Sequence, residues 1–423
     1  MKRLASNLLV TLFVIAFIDA SSSQLQMLLI GRVAVPEYTA KIGVCAVIVM
    51  YWIISPKRRL DKWIRIAWII LSVTLVACAL VVFTGGTIEP GEQVTDLLVN
   101  YLYLMCLPIC LLCFRPFLRL DRIFEVFAIL AAPVCLLGIA QYVLSEPLVA
   151  TAAADGSFRI IAWNFEGRVR AFSLFASSFA FSCYLAIMAG YFVAHLAEPV
   201  YRPKARFLAF GGCVLVAMTT YATITRLGFL FVMLAALFAL FLSRTREHSR
   251  LKWACLPLIG FAVAATVLMV APMITSMVNT DLVADSSLLE RIVRWTQAYA
   301  TWTNSGIVTF LFGTGVSQGS SNADYVVDNT FLNFAVQTGT FGLLASVAFM
   351  YAIWMSFRNV INRQRSPAVI AMCAFWATWI LTGMIDWTNP TYALVAATFM
   401  ISWEFRYRKK ASSCGPAGEV QEI

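Results

Sequence analysis

Apolar runs of about 17 to 25 residues recur along almost the whole chain, and they limit its fold more than any other feature. Each run is long enough to cross the hydrocarbon core of a membrane as a helix. An unsatisfied backbone group costs several kcal/mol in hydrocarbon, and the runs lack the alternating pattern of barrel strands. With 61% hydrophobic residues in 423, the sequence predicts an all-α polytopic membrane protein.

We expect about twelve transmembrane helices. Their approximate limits are 7–30, 36–54, 63–83, 95–114, 123–144, 172–195, 207–223, 227–242, 253–272, 330–356, 367–385 and 389–404. Residues 1–410 would then form a single transmembrane domain, and residues 411–423 a short disordered tail. The first run has a short apolar core, residues 8–18, so a cleaved signal peptide is the alternative interpretation there.

The distribution of lysine and arginine predicts the orientation of these helices. If both termini face the cytoplasm, 24 of the 32 basic residues fall on that side, as the positive-inside rule requires. The net charge of +10 is therefore explained mainly by topology, and nucleic-acid binding is not needed to account for it.

The longest outer loop, residues 273–329 between spans nine and ten, contains a predicted helix. Ser287 and Glu290 fit a capping box at its start. An apolar stripe at helical spacing predicts a helix that lies on the membrane surface; it comprises Leu288, Ile292, Trp295, Tyr299 and Trp302. Arg291 and Arg294 fall on another face, where they could reach a bound headgroup.

The tenth span begins with polar residues. Asp328 and Asn329 precede it, and either could simply cap the helix. Asn329, Asn333 and Gln337 then continue at a spacing of four residues, which draws a polar line along an otherwise apolar helix. Such a line should face a cavity and not lipid.

Two other outer segments carry arginines. The loop 145–173 places Arg168 and Arg170 near Trp163, a combination that suits sugar stacking and phosphate binding, or simply a solvated loop. Arg226 lies in a very short turn between two spans. A cation so close to hydrocarbon is costly, so it either serves a function or reaches out to the headgroups.

Taken in chain order, these segments resemble the O-antigen ligase-like superfamily, which includes Wzy-type O-antigen and exopolysaccharide polymerases and lipopolysaccharide ligases. R-x-x-x-W from Arg291 to Trp295 and the FGTG turn that follows are similar to two motifs of that family. DNTFL at 328–332 and GTFG at 339–342 are similar to its [H/D]-N-x-x-L and G-x-x-G motifs. T-R-L-G at 225–228 is similar to its Ser-Arg-Gly turn.

The chain departs from the family pattern at three places. Thr225 and Leu227 stand where Ser and Gly are usual. The sequence RVRAFSLF lacks the Pro-Asn that often follows the loop arginine. Asp328 stands where the ligases carry His, which favours a polymerase over a ligase.

The resemblance implies a glycosyltransferase on the outer face of the bacterial cytoplasmic membrane. Its donor would be a polyprenyl-diphosphate-linked oligosaccharide, and its acceptor a sugar hydroxyl on a second such molecule. Membrane lipid, a chain-length regulator and a flippase are the other expected partners. A ligase that transfers the glycan to a lipid core or protein is the first alternative, and a lipid-linked oligosaccharide flippase or transporter is the second.

The departing diphosphate needs cations more than it needs an acid. Arg226 and Arg291 are predicted to bind the diphosphate. Both histidines fall on the cytoplasmic side of this topology, so the expected general base is a carboxylate, Asp328. The predicted substrate-binding residues are Arg168, Arg170, Arg294, Trp295, Asn329 and Asn333. No metal or other cofactor is expected, with a metal-binding pair of Asp324 and Asp328 as the alternative.

Overall fold

A computed structural model gives the fold of several parts of the chain. It describes residues 65, 66, 69, 70, 72–74, 76, 77, 120–148, 164, 165, 168–175, 178–197, 203–243, 286–304, 306–314, 330–363 and 366–382. This part of the chain is 88% helical, which confirms the all-α class.

Eight helices and one small hairpin make up the continuous described segments. Their bounds are α1 Leu120–Leu144, β1 Asn164–Phe165, β2 Arg168–Val169, α2 Ser178–Ala197, α3 Pro203–Ala222, α4 Arg226–Leu242, α5 Ser286–Asn304, α6 Ile307–Phe312, α7 Thr330–Arg363 and α8 Pro367–Thr382. The strands pair antiparallel, with Phe165 opposite Arg168. Proline opens α3 and α8, where its missing N–H group leaves no helical hydrogen bond unmade.

Four of the described helices are long and apolar enough to cross a membrane. The qualifying stretches are Phe124–Leu144, Ser178–Ala197, Lys204–Ala222 and Phe331–Ala348. Leu227–Leu242 and Pro367–Leu381 are apolar but shorter. Six of the predicted spans therefore coincide with described helices, and the other predicted spans lie wholly or mostly outside the described residues.

Helix α2 is the centre of the first helical group. Fifteen of its twenty residues are buried, because α3, α4 and α8 all pack against it. Small residues allow these close approaches: a Cβ added at Gly190 would lie 3.3 Å from the Cα of Ala371 on α8. A further cluster of Ala194, Ala239, Ile370 and Ala374 joins α2, α4 and α8. Tight packing through small side chains is how helices associate in lipid.

Helix α7 is broken at Gly339, where the sequence predicts one continuous span over 330–356. Gly339 has φ 65° and ψ −169°, so the chain leaves the helical conformation and resumes it at once. The break lies against the end of α6, where Gly313 also has positive φ, 86°. A Cβ at Gly313 would overlap the carbonyl of Gln337, and a Cβ at Gly339 would overlap the carbonyl of Leu311. The two glycines therefore let two interrupted backbones cross in contact.

Hydrogen bonds where α6 and the residues after it meet α7 satisfy carbonyls near the end of α6 and near the break in α7. The amide of Thr314 donates to the carbonyl of Val336 at 2.8 Å, and the Thr314 hydroxyl donates to the same oxygen at 3.2 Å. The hydroxyl of Thr340 donates to the carbonyl of Phe310 at 2.8 Å. Non-helical backbone at membrane depth requires such internal partners, because lipid supplies none.

Helix α5 forms where the sequence predicts a surface helix, but one residue of its apolar stripe, Trp295, is covered by protein. Trp295 is 1% exposed and packs with Ala298 against Leu332 and Val336 of α7. Trp302 joins this cluster, while Tyr299 remains 39% exposed. The prediction of a membrane-facing stripe is thus wrong for Trp295, because a neighbouring protein helix covers that position.

Replacing Gly339 by alanine should destabilise the protein. A strained positive φ and a forced displacement of neighbouring backbone each cost about 1 to 3 kcal/mol, so we expect a combined loss of about 2 to 6 kcal/mol. Gly211→Ala is the matched control, because a Cβ added there would meet no neighbouring atom within 4 Å. It should be neutral or stabilise by up to about 1 kcal/mol. Unfolding in mixed micelles with increasing SDS measures both, and equal stability of the two variants would contradict the packing described above.

Candidate functional site

Two of the predicted site residues, Arg168 and Arg170, lie at the end of the β-hairpin. Arg168 is exposed, donates a hydrogen bond to the hydroxyl of Tyr142 at 2.7 Å, and places its guanidinium 5.1 Å from the centre of that ring. Arg170 is half-buried between Val169 and Ala171, which are 2% and 0% exposed. The backbone around Arg170 is therefore fixed by burial on both sides.

The turn that follows Arg170 is held by Gln141 of α1. The Oε1 atom of Gln141 accepts hydrogen bonds from the amides of Phe172 and Ser173, at 3.1 and 2.7 Å. Its Nε2 atom donates to the carbonyls of Pro147 and Ser173, at 2.7 and 3.1 Å. Ser173 has φ 53°, so this stretch cannot be the start of a helix. The predicted span 172–195 consequently begins later, at Ser178.

The same segment contacts the turn that carries Arg226. The amide of Ala171 donates to the carbonyl of Ala222, the last residue of α3, at 3.0 Å. Arg226 is the first residue of α4 and follows Ala222 after a three-residue connection. The backbone positions of Arg170 and Arg226 are therefore tied together, although the side chain of Arg226 lies outside the described part of the structure.

Hydroxyl groups pack beneath the Arg226 turn. The Oγ1 atom of Thr225 lies 3.0 Å from that of Thr223 and 3.2 Å from the Oγ of Ser182 on α2. A Cβ at Gly228 would overlap both Ser182 and Thr225. Glycine at this position thus allows α4 to begin directly against α2.

The second group of predicted site residues lies on α5 and α7. Arg294 is half-buried on α5, next to the buried Trp295. Asn333 and Gln337 of α7 are 9% and 5% exposed, so these two members of the predicted polar line are buried in the protein, while Asn329 lies outside the described residues. Trp295, which follows Arg294 on α5, packs against Leu332, which precedes Asn333 on α7. This contact holds the two helices together near Arg294 and Asn333.

The structure thus gathers the predicted residues into two groups, one at Arg168, Arg170 and the Arg226 turn, and one on α5 and α7. Helix α7 also contacts α8, which packs on α2 and α4. Asp328 and Asn329 lie outside the described residues, immediately before α7 begins at Thr330. The side chain of Arg291 also lies outside them, so its role and theirs stay predictions.

Gly313, Gly315 and Gly319 would allow backbone N–H groups to approach a phosphate, or simply form a turn, and only Gly313 of the three lies within the described residues. In the structure the amide of Gly313 donates to Thr309 at 2.7 Å, and the amide of Thr314 donates to Val336. Both amides are therefore used within the protein. The observed role of Gly313 is close packing against α7.

Gln141 and the hydroxyls beneath Arg226 are the residues that sequence reasoning missed. Gln141 is a polar residue inside an apolar span, six residues before Pro147, and isolated polar residues in spans are often functional. That signal was available in the sequence. The hydrogen bonds that show what Gln141 does join it to positions 31 and 32 residues away, and no local sequence pattern predicts such contacts.

A search against protein-family models finds no model that matches the chain, and a search of curated proteins finds no match either. The resemblance to the O-antigen ligase-like superfamily therefore depends on the motifs of this chain alone. The functional conclusion has to be drawn from the arrangement of its residues.

Truncating Trp295 should loosen α5 from α7. Trp295→Ala leaves a cavity beside Leu332 and Val336, and removal of a buried tryptophan side chain typically costs about 3 to 5 kcal/mol. Tyr299→Ala on the exposed face of the same helix should cost about 1 kcal/mol or less. Hydrogen exchange over residues 286–304 should accelerate in the first variant only. Equal exchange in both variants would show that Trp295 does not attach α5.

Proposed function

We propose that this protein is a glycosyltransferase that polymerises polyprenyl-diphosphate-linked oligosaccharide repeat units into a surface polysaccharide. In this proposal it acts in the bacterial cytoplasmic membrane, with its site on the outer face. The acceptor hydroxyl forms a bond to the anomeric carbon of the donor glycan, and the bond between that carbon and the diphosphate carrier breaks. The protein must hold the negative charge that grows on the diphosphate and remove a proton from that hydroxyl.

The observation that carries the proposal is the hydrogen bond from Ala171 to Ala222. It fixes the segment of Arg170 against the turn of Arg226, at adjoining ends of apolar helices. A diphosphate attached to a membrane lipid lies at the same level, where hydrocarbon gives way to headgroups. Two guanidinium groups from neighbouring segments suit two linked phosphates, because each guanidinium can bind phosphate oxygens in a bidentate manner.

The start of α4 adds to this attraction. Thr225 precedes the helix with extended backbone angles and forms no side-chain capping hydrogen bond. The first amides of a helix have no partners within it, and they carry the positive end of the helix dipole. Because Arg226 is the first residue of α4, its charge and these amides would act on the same anion.

The second group would serve the acceptor and the reaction itself. Arg291 and Arg294 lie on α5, which Trp295 attaches to the short first part of α7. Asp328 precedes that part by two residues and is the proposed base. The carboxamide of Asn333 lies further along this part of α7 and would offer donors and acceptors to a sugar. No step in this scheme requires a metal ion, because the arginines supply the positive charge.

Alanine at Arg226 or Arg291 should lower the polymerisation rate by about 100-fold to 1,000-fold, as is typical when one preorganised cationic or hydrogen-bonding group is removed. Asp328→Asn should lose activity to a similar degree if that carboxylate accepts the proton. The assay is elongation of a lipid-linked repeat unit by purified protein. Lys204→Ala is the control, because Lys204 is exposed at the opposite end of α3 from Ala222, about 27 Å away along the helix.

Wild-type rates in Arg226→Ala and Arg291→Ala would overturn the assignment of these arginines. The products distinguish the related activities. A ladder of repeat lengths supports the polymerase, and a single glycan transferred to a lipid core or a protein supports a ligase. Movement of the lipid-linked substrate across a vesicle membrane, without any new glycosidic bond, would instead support a transporter.

A further inference from the structure

Gln141 occupies an unusual position for a polar side chain. It is 0% exposed, one turn from the end of the apolar helix α1. A carboxamide can donate two hydrogen bonds and accept two, and Gln141 makes all four. Each partner is a backbone group of a loop, at Pro147 or in the stretch 172–173. The side chain therefore holds two irregular segments together in a region where water is scarce.

The stretch held by Gln141 is the one that places Arg170. The two backbone amides that donate to Gln141 belong to Phe172 and Ser173, the second and third residues after Arg170. The hydroxyl of Ser173 adds a hydrogen bond to the carbonyl of Val134, one further anchor to α1, at 2.7 Å. On the other side, Ala171 bonds to Ala222. The backbone from 171 to 173 is thus fixed to α1 and to the end of α3 at the same time.

We infer that Gln141 is a positioning residue that sets the separation of Arg170 and Arg226 by fixing the backbone turn between α1 and α3. This inference rests on the proposed function, because the two arginines matter only if they bind the diphosphate together. Gln141 itself lies buried behind the turn and would not touch the substrate. Its effect on the reaction must therefore pass through the placement of Arg170.

The four hydrogen bonds explain why a buried glutamine suits this role better than an apolar residue. A leucine or methionine could fill the same space but would leave the amides of Phe172 and Ser173 without their partner. Buried amides without partners seek others, so the turn would shift. A displacement of about 1 Å in a group that binds the reacting centre can cost about 100-fold in rate.

The test is a double-mutant cycle between Gln141→Met and Arg170→Ala in the full-length protein. In the wild-type background Gln141→Met should lower the rate of polymerisation per folded molecule by about 10-fold to 100-fold. In the Arg170→Ala background the same change should alter the rate by less than about twofold, because its effect passes through Arg170. Hydrogen exchange over residues 171–175 should accelerate in Gln141→Met, independently of any activity.

Ser243→Ala is the matched control for loss of a buried hydrogen bond. Ser243 is 0% exposed, follows the end of α4 and donates to the carbonyl of Leu240, about 26 Å along that helix from Arg226. This variant should keep its activity and its exchange over residues 171–175. If Gln141→Met does not yield folded protein, Gln141→Asn takes its place in the cycle, since it keeps a neutral carboxamide but is one methylene group too short to make all four contacts.

Three outcomes are informative. Equal losses from Gln141→Met in both backgrounds would show a general structural role and overturn the inference. Normal activity of Gln141→Met, with Arg170→Ala and Arg226→Ala impaired, would also overturn it and leave the proposed function standing. Normal activity of both arginine variants would overturn the assignment of the two arginines and this inference with it, whereas a wild-type protein that forms no polymer from the lipid-linked repeat unit would overturn the proposed function itself.

Discussion

Most of the described structure follows from one constraint: a polar group inside the membrane must find its hydrogen-bond partner within the protein. Gln141 meets that constraint by bonding four backbone groups of two loops. Buried threonines meet it locally, as Thr219 and Thr220 donate to carbonyls four residues earlier in α3. The break in α7 meets it with α6, whose following residue Thr314 binds the freed carbonyl of Val336. In these two described places, a neighbouring segment therefore completes the hydrogen bonding of irregular backbone.

The break at Gly339 divides α7 into parts with different surroundings. The first part, residues 330–338, is buried almost throughout and is held by Trp295 of α5 and by the end of α6. The second part exposes large apolar side chains such as Leu344 and Tyr351, as a surface that meets lipid does. Because the helix is interrupted, the direction of the first part is set by its protein neighbours. The polar residues Asn333 and Gln337 lie on this protein-enclosed part.

The amino-acid sequence predicts the features that depend on local composition, such as the apolar helices. It does not predict the features that depend on contacts between distant residues. Apolar length predicts α1, α2, α3, α4 and α8, because a helix in lipid needs no partner to satisfy its backbone. The predicted start of α2 at residue 172 is too early, because the largely apolar stretch 172–175 forms a turn that Gln141, 31 residues away, holds by hydrogen bonds. The stripe on α5 has the periodicity of a membrane-surface helix, and periodicity alone does not reveal that α7 covers Trp295. The grouping of Arg170 with the Arg226 turn depends on a single long-range backbone contact.

The turn next to Arg170 is held by a neutral side chain, the carboxamide of Gln141. A carboxamide can fix a turn without adding charge, whereas a buried carboxylate at the same position would attract nearby guanidinium groups and compete with an anionic ligand. Arg168 likewise has a neutral hydrogen-bond partner, the hydroxyl of Tyr142, at 2.7 Å. Its charge is therefore not cancelled by that contact. Hydrogen bonds from neutral groups thus fix the described turn at residues 171–173 without adding a charge to it.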